Sequence, residues 1–358
     1  MKRTLALLIF AASVTAMAAD DSGANPAGWN RRTAGAYLDQ RQAWWITWPT
    51  AARDHGSFCI SCHTALPYAL ARPALRSALS ETGASANERK ILADVSNRVR
   101  LWDEVEPFYP DATRGVPKTA ESRGTEAILN AVILVSYDPK LASADTRKAF
   151  DNLWKLQQAN GAWNWLNFHN SPWEADDSQY WGTSLAAIAI STTPADYQSS
   201  AEVKPKIALL RAYLQQGWKT ETMMNRVFTL WASAKWAGLL DRDQRDALIA
   251  ELKSKQQEDG GWSVSSLVGD WKRHDATPQE SRSDGYATGV ITYVLELSDR
   301  EPQTAAKGRA WLLGNQTADG FWPAYSLNKN RDLASDAGRF MSDAATAYAV
   351  LALSYRGE

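Results

Sequence analysis

The segment Cys59-Ile60-Ser61-Cys62-His63 holds the only two cysteines in a chain of 358 residues. Two thiols three residues apart, followed at once by an imidazole, form C-x-x-C-H, the attachment signature of c-type haem. The thiols become thioethers on the macrocycle and the adjacent histidine ligates iron. On this reading Cys59 and Cys62 hold haem c and His63 is the proximal ligand. A local disulfide or redox pair, with His63 incidental, stands beside it, as does a zinc site, which lacks further cysteines. Candidates for a distal ligand are His55, His169 and His274, in segments that join successive helices, and Met223 and Met224. The bland reading of each histidine is an ordinary loop residue, and of each methionine, core packing.

A second cluster is acidic: Trp173-Glu174-Ala175-Asp176-Asp177-Ser178. Acids and serine at the start of a helix cap free N–H groups and complement the helix dipole. Ser283-Asp284 and Ser342-Asp343 stand in comparable places, so capping competes with any catalytic role.

The elements that must position these groups repeat along the chain. Three segments read Gln-x-x-x-Gly-x-Trp: Gln157 to Trp163, Gln256 to Trp262 and Gln316 to Trp322. Each ends a run of helical period, and each is followed by a polar loop and a helix rich in small residues almost all the way round, the pattern of a buried helix. The spacing predicts inner helices at Cys59 to Leu79, Thr119 to Ser136, Ser178 to Ser191, Glu221 to Leu239, Ser283 to Ser298 and Ser342 to Tyr355. Amphipathic outer helices alternate with them at Arg31 to Trp45, Asn87 to Val105, Arg147 to Gln158, Val203 to Gln216, Arg242 to Gln257 and Pro302 to Gln316. About twelve helices in six pairs, with no alternating strand pattern and no linker, predict one all-α domain over residues 19–358 with the C-x-x-C-H motif embedded in it.

The Gln-x-x-x-Gly-x-Trp segments resemble the QW repeats of squalene and hopene cyclases, and the outer/inner alternation resembles the (α/α)6 toroid of the terpenoid cyclase and protein prenyltransferase superfamily. The resemblance implies structural QW repeats, with Gln capping and Trp stacking at helix ends. It also likens Glu174 to Ser178 to the D-x-D-D-T motif of class II terpene cyclases, with Glu in the first place and Ser in the last. That implies Asp176 as the general acid, flanked by Glu174 and Asp177. The zinc ligand set of the prenyltransferases is not evident, and one toroid hosts many chemistries.

Lys2 and Arg3, the apolar stretch Leu5 to Val14 and Ala16-Met17-Ala18 read as a signal peptide over residues 1–18. The stretch is too short to span a bilayer, so no transmembrane anchor is expected and a periplasmic location is. A net charge of −1 supplies no basic field for nucleic acid. With 17 tryptophans and 45% hydrophobic residues, the chain has the makings of a large packed core and of surfaces that stack on flat ligands. Three functional classes follow. The first is an exported haem enzyme acting on an apolar, isoprenoid or lipid-like substrate in a central cavity, served by a periplasmic electron-transfer partner. The second is a non-redox cyclase or isomerase using Asp176. The third is an electron-transfer or glycan- or quinone-binding module whose Trp165, Trp173, Tyr180 and Trp181 stack on rings without turnover.

Overall fold

The computed structural model of the chain describes residues 28–355, so the expected signal peptide at 1–18 lies outside the described residues. The described chain holds fourteen α-helices: α1 (Arg31–Thr47), α2 (Ala65–Ala78), α3 (Ala86–Arg100), α4 (Asp111–Arg114), α5 (Lys118–Tyr137), α6 (Ala144–Lys155), α7 (Ser178–Thr192), α8 (Ala195–Ser199), α9 (Val203–Gly217), α10 (Met223–Lys235), α11 (Arg242–Lys255), α12 (Gly285–Leu297), α13 (Pro302–Gly314) and α14 (Phe340–Ser354). The short helices α4 and α8 sit in connections. Helices α2, α5, α7, α10, α12 and α14 each pack on the next, and α14 returns to α2, closing an inner ring of six. Helices α1, α3, α6, α9, α11 and α13 pack around it. The protein is an all-α toroid of six helix pairs, as the repeat spacing predicts. No described helix is long and apolar enough to cross a membrane.

Composition explains the two layers. Every residue from Gly124 to Val135 in α5, and from Met341 to Leu353 in α14, is buried. Only Leu248, Ile249 and Leu252 are buried in outer helix α11. Each large aliphatic side chain so buried contributes roughly 1.5–3 kcal/mol. Small residues set the spacing within the ring: a Cβ at Gly289 of α12 would stand 2.7 Å from the backbone nitrogen of Ala349 in α14.

The three repeats act as joints between neighbouring pairs. Trp163, Trp262 and Trp322 are fully buried, and their indole N–H groups donate to the carbonyls of Leu153, Leu252 and Leu312, each at 2.7 Å. Gln157, Gln256 and Gln316 each donate to the carbonyl of their own motif glycine and to a carbonyl of the next outer helix or its cap: Lys206, Thr304 and Asn30. Gln316 also accepts from the Asn30 N–H at 2.7 Å, which ties the last repeat to the first helix. Gly161 and Gly320 have φ of +94° and +90°, and a Cβ there would lie 2.2 Å from the Leu209 oxygen or 2.3 Å from the Thr33 carbonyl carbon. Only glycine satisfies both the left-handed turn and that approach.

Aromatic side chains from four inner helices meet inside the ring. Trp181 of α7 stands edge-on to Phe228 of α10 at 5.4 Å, Phe228 to Tyr348 of α14 at 6.0 Å, and Tyr348 to Tyr286 of α12 at 5.5 Å. These side chains pack against one another inside the ring, where a cavity for an apolar chain is expected from the sequence. Trp165, Tyr180 and Trp181, expected among ring-stacking contacts, belong to this core, at 5%, 1% and 0% exposure.

Candidate active site

The C-x-x-C-H segment is a loop rather than the start of an inner helix, because α2 begins at Ala65. The Ser61 hydroxyl accepts from the Thr64 and Ala65 N–H groups and caps the helix there. Outer helices hold the loop from behind. The Trp45 indole donates to the Cys59 carbonyl at 2.7 Å, Asp94 accepts from the Phe58 N–H at 3.0 Å, and Arg98 donates to the Ser57 hydroxyl at 2.7 Å. Arg98 is itself fixed by a buried ion pair with Glu126 of α5 at 2.5 Å.

Both cysteines are free thiols and both are buried. Cys59 packs against the Tyr109 hydroxyl at 4.0 Å. Burial pushes the Cys59 thiol up to about 11, and burial together with the Glu174 carboxylate raises Cys62 as well. The pair is therefore a poor nucleophile as it stands.

His63 is tethered through its Nδ1, which lies 2.8 Å from the Thr64 hydroxyl, and that hydroxyl donates to Asp343 of α14 at 2.7 Å. Thr64 has one proton, given to the carboxylate, so it accepts from His63 and sets the Nδ1–H tautomer. Nε2 is left as a lone pair. Burial, with Arg41 adding to it, pushes the imidazole down to about 3, so it stays neutral. Asp343 also accepts from the Tyr37 hydroxyl and from Arg41, each at 2.8 Å. Burial raises its carboxyl and the Arg41 guanidinium opposes that rise.

Beside His63 and Cys62 lies a cavity of about 190 Å³, at the end of the toroid where outer helices hand over to inner ones. Phe340 stacks on the imidazole at 3.9 Å, Trp45 meets it edge-on at 4.9 Å, and Trp173 stands 6.0 Å away. Trp44 and Trp48 stack on each other at 5.1 Å behind Phe340. Glu174, Asn328, Arg331 and Met341 complete the wall. The segments that supply it are locked together by Asn328, whose side chain accepts from the Ser171 N–H and donates to the Ser171 carbonyl.

The acidic cluster divides. Glu174 faces the cavity, where burial lifts its carboxyl to about 7 against the opposing charge of Lys118, and its carboxyl makes no hydrogen bond. Asp176 is 74% exposed and pairs at the surface with His169. The reason is local: a tight bridge between Asn170 and Glu174 reverses the chain and turns Glu174 inward, leaving Asp176 beyond the turn. Asp177 does not cap α7; its carboxylate accepts from Thr222 and Asn225 at the start of α10. Of the three acids, Glu174 lines this cavity, whereas Asp176, the residue the resemblance singles out, stands at the surface.

None of the expected distal ligands lines the cavity. His55 is exposed beside Asp54, His169 is 72% exposed, and His274 contributes to a separate groove with Asp176 and Asp177. Met224 is buried in the core and Met223 packs on its edge. Among the described residues no cluster of three or more His, Cys, Asp or Glu side chains forms a metal cage. Sequence reasoning missed Asp343, Phe340, Asn328 and Arg331, which stand far along the chain from the motif they surround. The one local signal was Thr64, a hydroxyl directly after the histidine.

No protein family matches the chain, and no curated protein does. Among solved structures it is similar to a variant of a type II terpene cyclase from Scytonema, in complex with the substrate geranylgeranyl dihydroxybenzoate. The two are 12% identical with a TM-score of 0.45, over 90% of this chain and 98% of that one.

Proposed function

We propose that the chain is an exported c-type haem protein in which Cys59 and Cys62 carry the covalent attachment and His63 ligates iron. The observation that supports it best is the tether on His63. Metal-binding histidines donate their second ring N–H to a fixed acceptor, which sets tautomer and orientation. Here Thr64 and Asp343 do so and leave Nε2 unbonded in the cavity that Cys62 also lines. The donors suit the group, two free thiols at the attachment spacing and a neutral imidazole, and the cavity of about 190 Å³, with Phe340 stacked on His63 at 3.9 Å, must open to admit the macrocycle. Haem, when bound, supplies one-electron chemistry that no side chain of this site has. The chain's own residues hold His63, exclude bulk water with Phe340 and Trp173, and offer Glu174 as a proton donor. The cavity of about 190 Å³ falls below the ~300–1,000 Å³ typical of pockets for drug-sized ligands. A co-reactant bound there is therefore small, in place of the isoprenoid chain expected from the resemblance.

A second reading is favoured by Glu174. A carboxyl lifted to about 7 and an imidazole held neutral line one cavity, and a carboxyl so lifted exchanges its proton at neutral pH, as non-redox proton-transfer catalysis needs. In that reading Glu174 both gives and takes the proton, in the part implied for Asp176, and His63, pushed down to about 3, serves as a neutral hydrogen-bonding partner rather than as the base.

A reduced-minus-oxidised spectrum and an intact mass, on protein made with c-type maturation machinery, separate the two. A sharp α-band with the mass gain of one haem, lost in the C59A/C62A variant, is expected. A colourless protein of unmodified mass overturns the haem reading and leaves the acid–base one.

A further inference from the structure

The cavity beside His63 holds two ionisable groups that are not engaged with one another. Arg331, an exposed residue, is the one cationic side chain among the lining residues, and its guanidinium makes no hydrogen bond and no ion pair among the described residues. Glu174 lines the same cavity, and its carboxyl makes no hydrogen bond among the described residues either. The two do not pair across it: the neighbouring cation felt by Glu174 is Lys118, not Arg331. The Asn328 amide is engaged by Ser171 and Trp271, and Asn170 and Ser171 also line the wall. The same cavity is lined by the apolar side chains of Trp173, Phe340 and Met341. A guanidinium with free donors is a fork for a carboxylate. At ~30 Å³ per water in the liquid, the enclosed space is that of roughly six waters, enough for a single small ring.

We propose that this cavity binds a small organic carboxylate with an apolar body, its anionic end on Arg331 and its apolar body against Trp173, Phe340 and Met341. The proposal rests on the assignment of this cavity as the functional site and concerns the chain without haem, since a macrocycle bonded to Cys62 and His63 would take up the same space of about 190 Å³. It concerns equilibrium binding and involves no covalent step.

The test is calorimetric titration of the purified chain with benzoate, with benzamide as the neutral body of the same shape and acetate as the charge without the body. Saturable benzoate binding is expected, with benzamide and acetate each weaker by about tenfold or more. R331Q should bring benzoate to the level of benzamide, and R331K should recover part of the loss. Because Arg331 is exposed and makes no hydrogen bond or ion pair among the described residues, R331Q should melt with the parent. Absence of saturable benzoate binding overturns the proposal. So does an R331Q variant that binds as the parent does, or acetate equal to benzoate, which marks an adventitious ion only. An absorption spectrum of each sample keeps the two questions apart. The titration uses chain made without c-type maturation machinery; failure of that chain to bind benzoate sinks this proposal alone, while a colourless product from the matured preparation sinks the haem reading alone.

Discussion

His63 and Asp343 are joined through a single hydroxyl: Thr64 receives the imidazole proton at 2.8 Å and gives its own to the carboxylate at 2.7 Å. The two ends lie 280 positions apart in the chain, and the closing contact of α14 on α2 brings them together. This relay decides which ring nitrogen of His63 is free, and hence what the histidine can bind.

Replacing Thr64 with Val should release that tautomer. Nitrogen-15 spectra of the parent chain, prepared without haem, should show Nδ1 protonated and Nε2 bare, and the T64V variant should populate both forms. The lost hydrogen bond to a buried carboxylate should cost about 1–3 kcal/mol in denaturant unfolding. A parent spectrum with the proton on Nε2 would contradict the relay.

Asp94 makes stability depend on pH. Burial lifts its carboxyl from 3.8 to about 7, while one oxygen accepts from the Phe58 N–H and the other has no partner. A carboxyl raised in the folded state stabilises below the unfolded value, and that stability is lost as pH rises through the folded one. The window therefore runs from about 3.8 to about 7. D94N keeps the acceptor for Phe58 and cannot ionise. It should match the parent near pH 4 and exceed it at pH 8 by on the order of 2–4 kcal/mol. Chemical unfolding at the two pH values checks this, and a D94N variant weaker than the parent at pH 8 would refute it.

The buried pair Arg98–Glu126 holds the cysteine loop through Ser57. E126Q leaves a buried guanidinium uncompensated and should cost about 3–5 kcal/mol. It should also loosen the segment that buries Cys59. In haem-free protein, alkylation of the two thiols at pH 8 should be slow in the parent and faster in E126Q under native conditions. Equal rates would show that the pair does not govern the loop.

The repeat joints should differ in weight. Gln316 makes three hydrogen bonds that close the ring onto Asn30 and Gly320, and Q316A should cost about 2–3 kcal/mol. G161A meets both a left-handed turn and a carbonyl oxygen at 2.2 Å, and should lose more than ~3 kcal/mol or fail to fold. Thermal melts of the two variants rank them, and a G161A protein as stable as the parent would refute the joint geometry.

Local pattern was enough for the helices and their pairing. The period of 3.6 residues, the small-residue runs and the three Gln-x-x-x-Gly-x-Trp joints are all expressed within one repeat, so all twelve long helices were legible, with ends displaced by a few residues where capping ruled. Ser61, for example, starts α2 at Ala65 rather than at Cys59. The spacing of Cys59, Cys62 and His63 is also local, and so was readable as chemistry. Which acid faces the cavity was not, because one tight bridge between Asn170 and Glu174 turns Glu174 in and leaves Asp176 out. Nor could the sequence show that rings from four inner helices meet inside the ring, or that Asp343 and Phe340 come to stand beside His63. Those relations exist only once the sixth pair closes on the first, since burial and hydrogen bonding across the seam depend on distance in space and leave no mark in the order of residues.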